Sequence, residues 1–121
     1  MNNFLDLMAR IFISAVFLIS GINKINQYEG TVEWMESFGV PGILIIPAII
    51  LEVIGSVLII VGYQTRITAS IFSIFCISLA FIFHNDFSNQ MELVSFFKNL
   101  ALAGGFLFLA INGPGKISLD K

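Results

Sequence analysis

The chain has 121 residues, 57% of them hydrophobic and 12% charged, with a mean hydropathy of +0.93 and a formal net charge of −2. A soluble domain of this length would carry roughly twice that share of charge, so the composition places the chain in a membrane, and its length suits a single domain. Six Lys and Arg leave no basic footprint for nucleic acid, a lone cysteine excludes an internal disulfide or Cys-x-x-Cys pair, and a lone histidine leaves no cluster with metal-ligand spacing.

The first apolar run covers residues 4–23. A signal peptide would show a basic start, a shorter apolar core and a small-x-small cleavage site. Here the run opens MNNFLD and closes SGINK, which reads as a retained membrane helix. Arg10, Ser14, Phe17, Gly21 and Lys24 fall on one stripe at three- and four-residue steps. Asp6 stands four residues before Arg10, the better orientation for an ion pair. Because Arg10 lies close to one end of the run, the favoured expectation is that its side chain snorkels to the nearer head groups.

Residues 25–40 hold too few apolar side chains to span. Val32, Trp34, Met35 and Phe38 alternate with Glu29, Glu33 and Glu36, which predicts a short helix lying in the interface with its aromatics toward lipid. Tyr28 and Trp34 then serve as interfacial anchors, with Tyr63 on the opposite side. The competing reading makes this segment a lid over a site at the same membrane face.

The second span, 41–62, carries one ionisable residue, Glu52, near its middle. A carboxylate at that depth is unfavourable by roughly 2–4 kcal/mol on insertion scales. Ala48, Ile49, Gly55 and Ser56 share its face, while branched aliphatics cover the rest, so Glu52 is expected to point into a bundle. The turn GYQTR leads to the third span, 67–84. Its stripe of Arg66, Ala69, Ser73, Cys76, Ala80 and His84 is again small or polar. Cys76 within it reads as a packing residue. The fourth span, 93–112, presents Lys98, Ala101, Gly105 and Asn112 on one face, and GPGKISLDK follows it, with Gly113 and Pro114 as the stop.

Four spans with short connections predict an all-α membrane protein: an up-down bundle of four transmembrane helices, with the interfacial helix between spans one and two. The small or polar stripes are expected to face one another. Arg10, Arg66, Lys116 and Lys121 lie on the side of the termini against Lys24 and Lys98 on the other, which favours cytoplasmic termini. Lys24, Glu52, His84, Lys98 and Asn99 then converge on a polar pocket in the outer half of the bundle. An ammonium or imidazole partner in low dielectric keeps a carboxylate ionised, and such a pocket could bind a quinone head group and exchange its protons. The alternative is that Glu52 merely pairs with Lys98 or Lys24 to fix helix register.

The SGINK after the first span, the LE of the second, the GYQTR turn, the small-residue third helix ending in His84 and the terminal GPGKISLD together resemble the DoxX family of small bacterial four-helix membrane proteins. The resemblance covers nearly the whole chain. By position, Lys24, Glu52, Arg66, His84 and the ending built on Gly113, Pro114, Gly115, Ser118 and Asp120 match the family's recurrent polar positions. What the resemblance implies is a multi-pass protein of the bacterial inner membrane linked to redox metabolism. The family's name comes from a subunit of a thiosulfate:quinone oxidoreductase, and other members are associated with complexes handling thiol and oxidative stress. This chain is therefore expected to act as a membrane subunit in quinone, thiol or sulfur metabolism, alongside a redox enzyme subunit or as a homo-oligomer, with quinone as a non-covalent ligand and no metal. The rival expectations are a non-catalytic anchor or assembly factor and, behind both, a small proton-coupled transporter, for which four spans without a broken-helix pair leave little room.

Overall fold

In the computed structural model, which describes residues 3–84 and 86–120, the chain is helical between short turns. Helix α1 is Asn3–Asn26 and α2 is Tyr28–Ser37. Helix α3 runs over Gly42–Val61: it opens with a 3-10 turn, is π-helical over Leu51–Gly55, and resumes as α-helix over Ser56–Val61. Helix α4 is Thr65–Phe83 and α5 is Gln90–Asn112. Four of these, all except α2, are long and apolar enough to cross a membrane. Their outward residues, such as Ile43, Ile74 and Phe108, are large, apolar and exposed, as lipid contact requires.

Local chemistry sets the ends. Gly62 adopts φ +75, and the N–H groups of Gly62 and Tyr63 return to the carbonyls of Ile59 and Leu58, a Schellman stop for α3. Asn89 caps α5 by accepting from the N–H groups of Met91 and Glu92, so α5 begins at Gln90, three residues before the expected 93. The Asn-x-x-Glu signature marks this start, although Glu92 directs its carboxylate elsewhere.

The bundle is two antiparallel hairpins, α1 with α3 and α4 with α5, while α1 and α5 touch only lightly. Gly21 lets α1 and α3 meet: a Cβ there would stand 2.7 Å from Val53 Cγ2 and 3.0 Å from Glu52 Cβ. The centre is filled by rings. Phe72 and Phe106 stack at 4.7 Å, and Phe17 packs on Phe72 at 5.1 Å. Ala69, Cys76 and Ala103 are buried around them, and Ser73 Oγ donates to the carbonyl of Ala103.

Small and polar side chains line the buried faces of α1, α3 and α4 as expected, but not that of α5. There Phe96, Ala103 and Phe106 point inward, while Lys98, Ala101 and Asn112 are exposed. Two of the three inward positions are rings, which pack on rings of α4: Phe106 on Phe72 and Phe96 edge-on to Phe81.

Helix α2 also departs from the expectation. Its Met35 is buried with Ile45 and Phe83, and Trp34 stacks on Phe83 at 4.4 Å rather than facing only lipid. The helix lies over the loop end of the bundle, in the position of a cover.

Candidate functional site

Between the central rings and α2 lies a cavity of about 450 Å³, lined by all four spans and by α2. Its walls are mainly apolar, with Phe17, Phe75, Trp34 and Leu102 prominent. Against them stands one buried ionic cluster. Glu52, 1% exposed, meets Lys24 Nζ at 2.9 Å from Oε2 and 3.1 Å from Oε1. Ser20 Oγ donates to Glu52 Oε1 at 3.0 Å and accepts from Lys24 Nζ at 2.9 Å. Ser56 Oγ donates to the main-chain carbonyl of Glu52. Glu52 thus sits in a π-helical turn, a rare geometry that widens the helix and re-aims one side chain.

The expected residues divide. Lys24 and Glu52 are in contact. His84, Lys98 and Asn99 line the same cavity but do not touch Glu52. His84 Nδ1 is 2.9 Å from Glu92 Oε2, Asn99 Nδ2 donates to the carbonyl of Ser95, and Lys98 has no ion-pair partner among the described residues. Sequence reasoning missed Ser20 and Glu92. Ser20 lies one turn before Lys24, so helical spacing alone places it beside the ammonium. Glu92 is separated from His84 by a loop, and nothing in the local pattern links them.

A second polar cluster forms at the face of the termini. Arg10 does not snorkel; it is 1% exposed. Its Nη1 donates to the carbonyls of Ile59 (3.2 Å) and Ile60 (2.7 Å), and Nη2 to that of Ile117. No carboxylate forms an ion pair with it among the described residues. Arg66 Nη1 donates to the carbonyl of Ile111, and Gly113 packs against the same guanidinium. Gly113 and Gly115, with φ +80 and +85 and Pro114 between them, turn the tail back. Ser118 Oγ then closes it onto the carbonyls of Gly115 and Asp120. The tail pairs with the α3–α4 turn: Leu119 N–H reaches the carbonyl of Val61, and Asp120 N–H that of Gly62. Asp120 then caps α4, accepting from the N–H of Gln64 at 2.8 Å and of Thr65 at 2.9 Å.

The neighbouring Thr65 hydroxyl and these two N–H donors hold the Asp120 carboxyl below its ordinary value. A depressed folded value contributes stability above the unfolded pKa, about 3.9, which is lost as pH falls through the folded value. Tail docking should therefore be flat across neutral pH and fail only below about pH 4. Asp120→Asn should loosen the tail at neutral pH and abolish that acid transition. Amide exchange of the α4 start against pH reads both, and an unchanged acid transition in the variant would remove Asp120 as its cause.

The spans, the buried carboxylate and the GPG-turned tail can now be set beside known proteins. The DoxX family profile matches residues 5–85. The chain belongs to the DoxX family. It is 43% identical to the inner membrane protein YqjF of Escherichia coli (strain K12) over 115 residues, covering 95% of this chain and 88% of YqjF. With the inner membrane protein YphA of the same organism it shares 38% identity over 122 residues, 95% of this chain and 87% of YphA. A shorter likeness, 31% over 68 residues, links it to CatD of Bacillus subtilis (strain 168), whose name assigns it provisionally to the oxidoreductases; this covers 56% of the chain and 51% of CatD. No solved structure matches it. Within this DoxX protein, Lys24, Glu52 and His84 fall inside the family match, and Lys98, Asn99 and the tail fall beyond it.

Proposed function

We propose that this DoxX protein is a membrane subunit of redox metabolism, resident like YqjF and YphA in the inner membrane, that binds a quinone-type head group in the cavity under α2. The observation that carries the reading is the Lys24–Glu52–Ser20 cluster set into a mainly apolar chamber of about 450 Å³, a volume typical of small-molecule sites. The cluster offers both halves of what a quinone needs. The Lys24 ammonium can donate to a quinone carbonyl, and Glu52 can accept from a quinol hydroxyl. Reduction of a quinone takes two electrons and two protons. Glu52 and Lys24 are placed to exchange the protons, and a partner subunit supplies the electrons, since this chain's single cysteine, Cys76, is fully buried.

Fluorescence quenching or calorimetry with a short-chain quinone, on wild type and Glu52→Gln, tests this. Wild type should bind, and the variant should bind at least tenfold more weakly, about 1.4 kcal/mol. Equal affinities, or none in either, would remove the ligand from the chamber. The anchor reading has its own support, because Lys24 already neutralises Glu52 without a ligand, although Oε2 has the ion contact and no hydrogen bond. Absent binding together with a destabilised Glu52→Gln would favour it.

Orientation belongs to the same proposal. Arg10 is spent inside the fold and Lys24 inside the ion pair, which leaves Arg66 and Lys116 against Lys98 as the basic residues facing the two aqueous sides among the described residues, Lys121 lying outside them. That bias keeps the termini cytoplasmic. A C-terminal reporter active only in the cytoplasm should be active, and activity only from a periplasmic reporter would reverse the assignment.

A further inference from the structure

A second cavity, of about 470 Å³, lies at the face of the termini in the seam where α1 and α5 barely touch. It is separate from the chamber under α2, and its lining is graded. Ile13, Phe108 and Leu109 form an apolar part; Asp6, Arg10 and Asn112, with the chain at Gly113–Gly115, form a polar part.

Two charged groups there have unused capacity. Arg10 spends both Nη atoms on carbonyls, but its Nε is buried without a hydrogen-bond partner. A buried N–H of a cation left unmet is costly, so an acceptor is called for. Asp6 forms no hydrogen bond or ion pair among the described residues. Its Oδ2 abuts the tail where a Cβ on Gly115 would stand 2.6 Å away, so only glycine leaves the carboxylate room. The two residues are one helical turn apart, roughly 6 Å along the axis, with Asp6 nearer the aqueous end.

We infer that this seam is a binding site for an aminophospholipid. The order of groups matches the order of the lining. Acyl chain lies along Ile13 and Phe108, the phosphate accepts from Arg10 Nε, and the primary ammonium beyond it donates to Asp6. An anionic headgroup without an amine would bring its charge against Asp6 with nothing to offset it. A quaternary amine would lack the N–H groups that the carboxylate accepts. Neither the quinone reading nor its failure affects this site.

Native mass spectrometry of the full chain, released from nanodiscs of phosphatidylethanolamine mixed equally with phosphatidylglycerol or phosphatidylcholine, reads the preference directly. Wild type should retain phosphatidylethanolamine over each competitor by roughly fivefold, the worth of one partly exposed ion pair. Asp6→Asn should erase that preference while keeping the wild-type melting temperature. Arg10 variants risk unfolding the tail, so Ile13→Trp, which fills the apolar part, is the second variant, and it should lower retention of every lipid. Equal retention of the three lipids by wild type, or an undiminished preference in Asp6→Asn, would overturn the assignment.

Discussion

Lys24→Met is expected to lower the stability of the detergent-solubilised protein by about 3–5 kcal/mol, because it strands a carboxylate in the interior. Glu52 is 1% exposed, and Ser20 alone would remain to meet it. Removing both charges is a different experiment. Lys24→Met with Glu52→Leu replaces the pair by apolar groups of similar volume, which in other buried pairs is neutral or stabilising. The double variant should recover most of the lost stability. It should not recover quinone binding, since neither the ammonium nor the carboxylate is there to meet a head group. Thermal unfolding and ligand titration on the same three proteins separate the two roles. A double variant as unstable as the single would mean that the pair contributes to the fold beyond mutual neutralisation. A double variant that still binds quinone would move the ligand away from Glu52.

Much of this architecture is legible in the sequence because the membrane simplifies the problem. A span must be long and apolar, so four of them stand out. A lone Glu in the second must find company, and the stripe on the first span supplies Lys24 at its end. The Gly62 turn is equally plain. What the sequence hides are partners that are main-chain atoms. Nothing about Arg10 announces the carbonyls of Ile59, Ile60 and Ile117, which lie 49, 50 and 107 residues away. With only Asp6 in sight, a carboxylate that does not in fact pair with it, a helix-end arginine is naturally assigned to the head groups. Asp120 likewise caps a helix start 56 residues upstream, where Gln64 and Thr65 offer no cap of their own.

The misplaced face of α5 has another cause. Small residues mark close helix contact, and that holds at Gly21, Gly55 and Ala69, where helices approach closely. Helix α5 instead reaches the core through Phe96 and Phe106, and Ala101 and Gly104 are left facing outward. Aromatic side chains in a membrane helix serve lipid and interior equally well, so composition does not choose between them. For His84, the loop before α5 decides the outcome. It brings Glu92 to the imidazole, and among the described residues Lys98 lines the cavity without an ion-pair partner.

Arg10→Leu should have a comparably large effect, with a different signature. The guanidinium ties the end of α3 to the tail, and among the described residues no carboxylate shares the work through an ion pair. Leucine would leave the carbonyls of Ile60 and Ile117 without this donor and Ile59 with only the Gly62 N–H, a loss on the order of 3–5 kcal/mol. Arg10→Lys should not rescue it, because one ammonium on a shorter stem lacks the planar fork that serves two directions at once. Because the tail hangs on Ile117 as well as on Asp120, its release should precede unfolding of the spans. Limited trypsin digestion reads this as faster cleavage after Lys116 in Arg10→Leu, while helical content by circular dichroism stays near wild type. Cleavage at the wild-type rate would show that the Asp120 cap and the Leu119–Val61 pairing hold the tail by themselves, and Arg10 would then serve only to close α3.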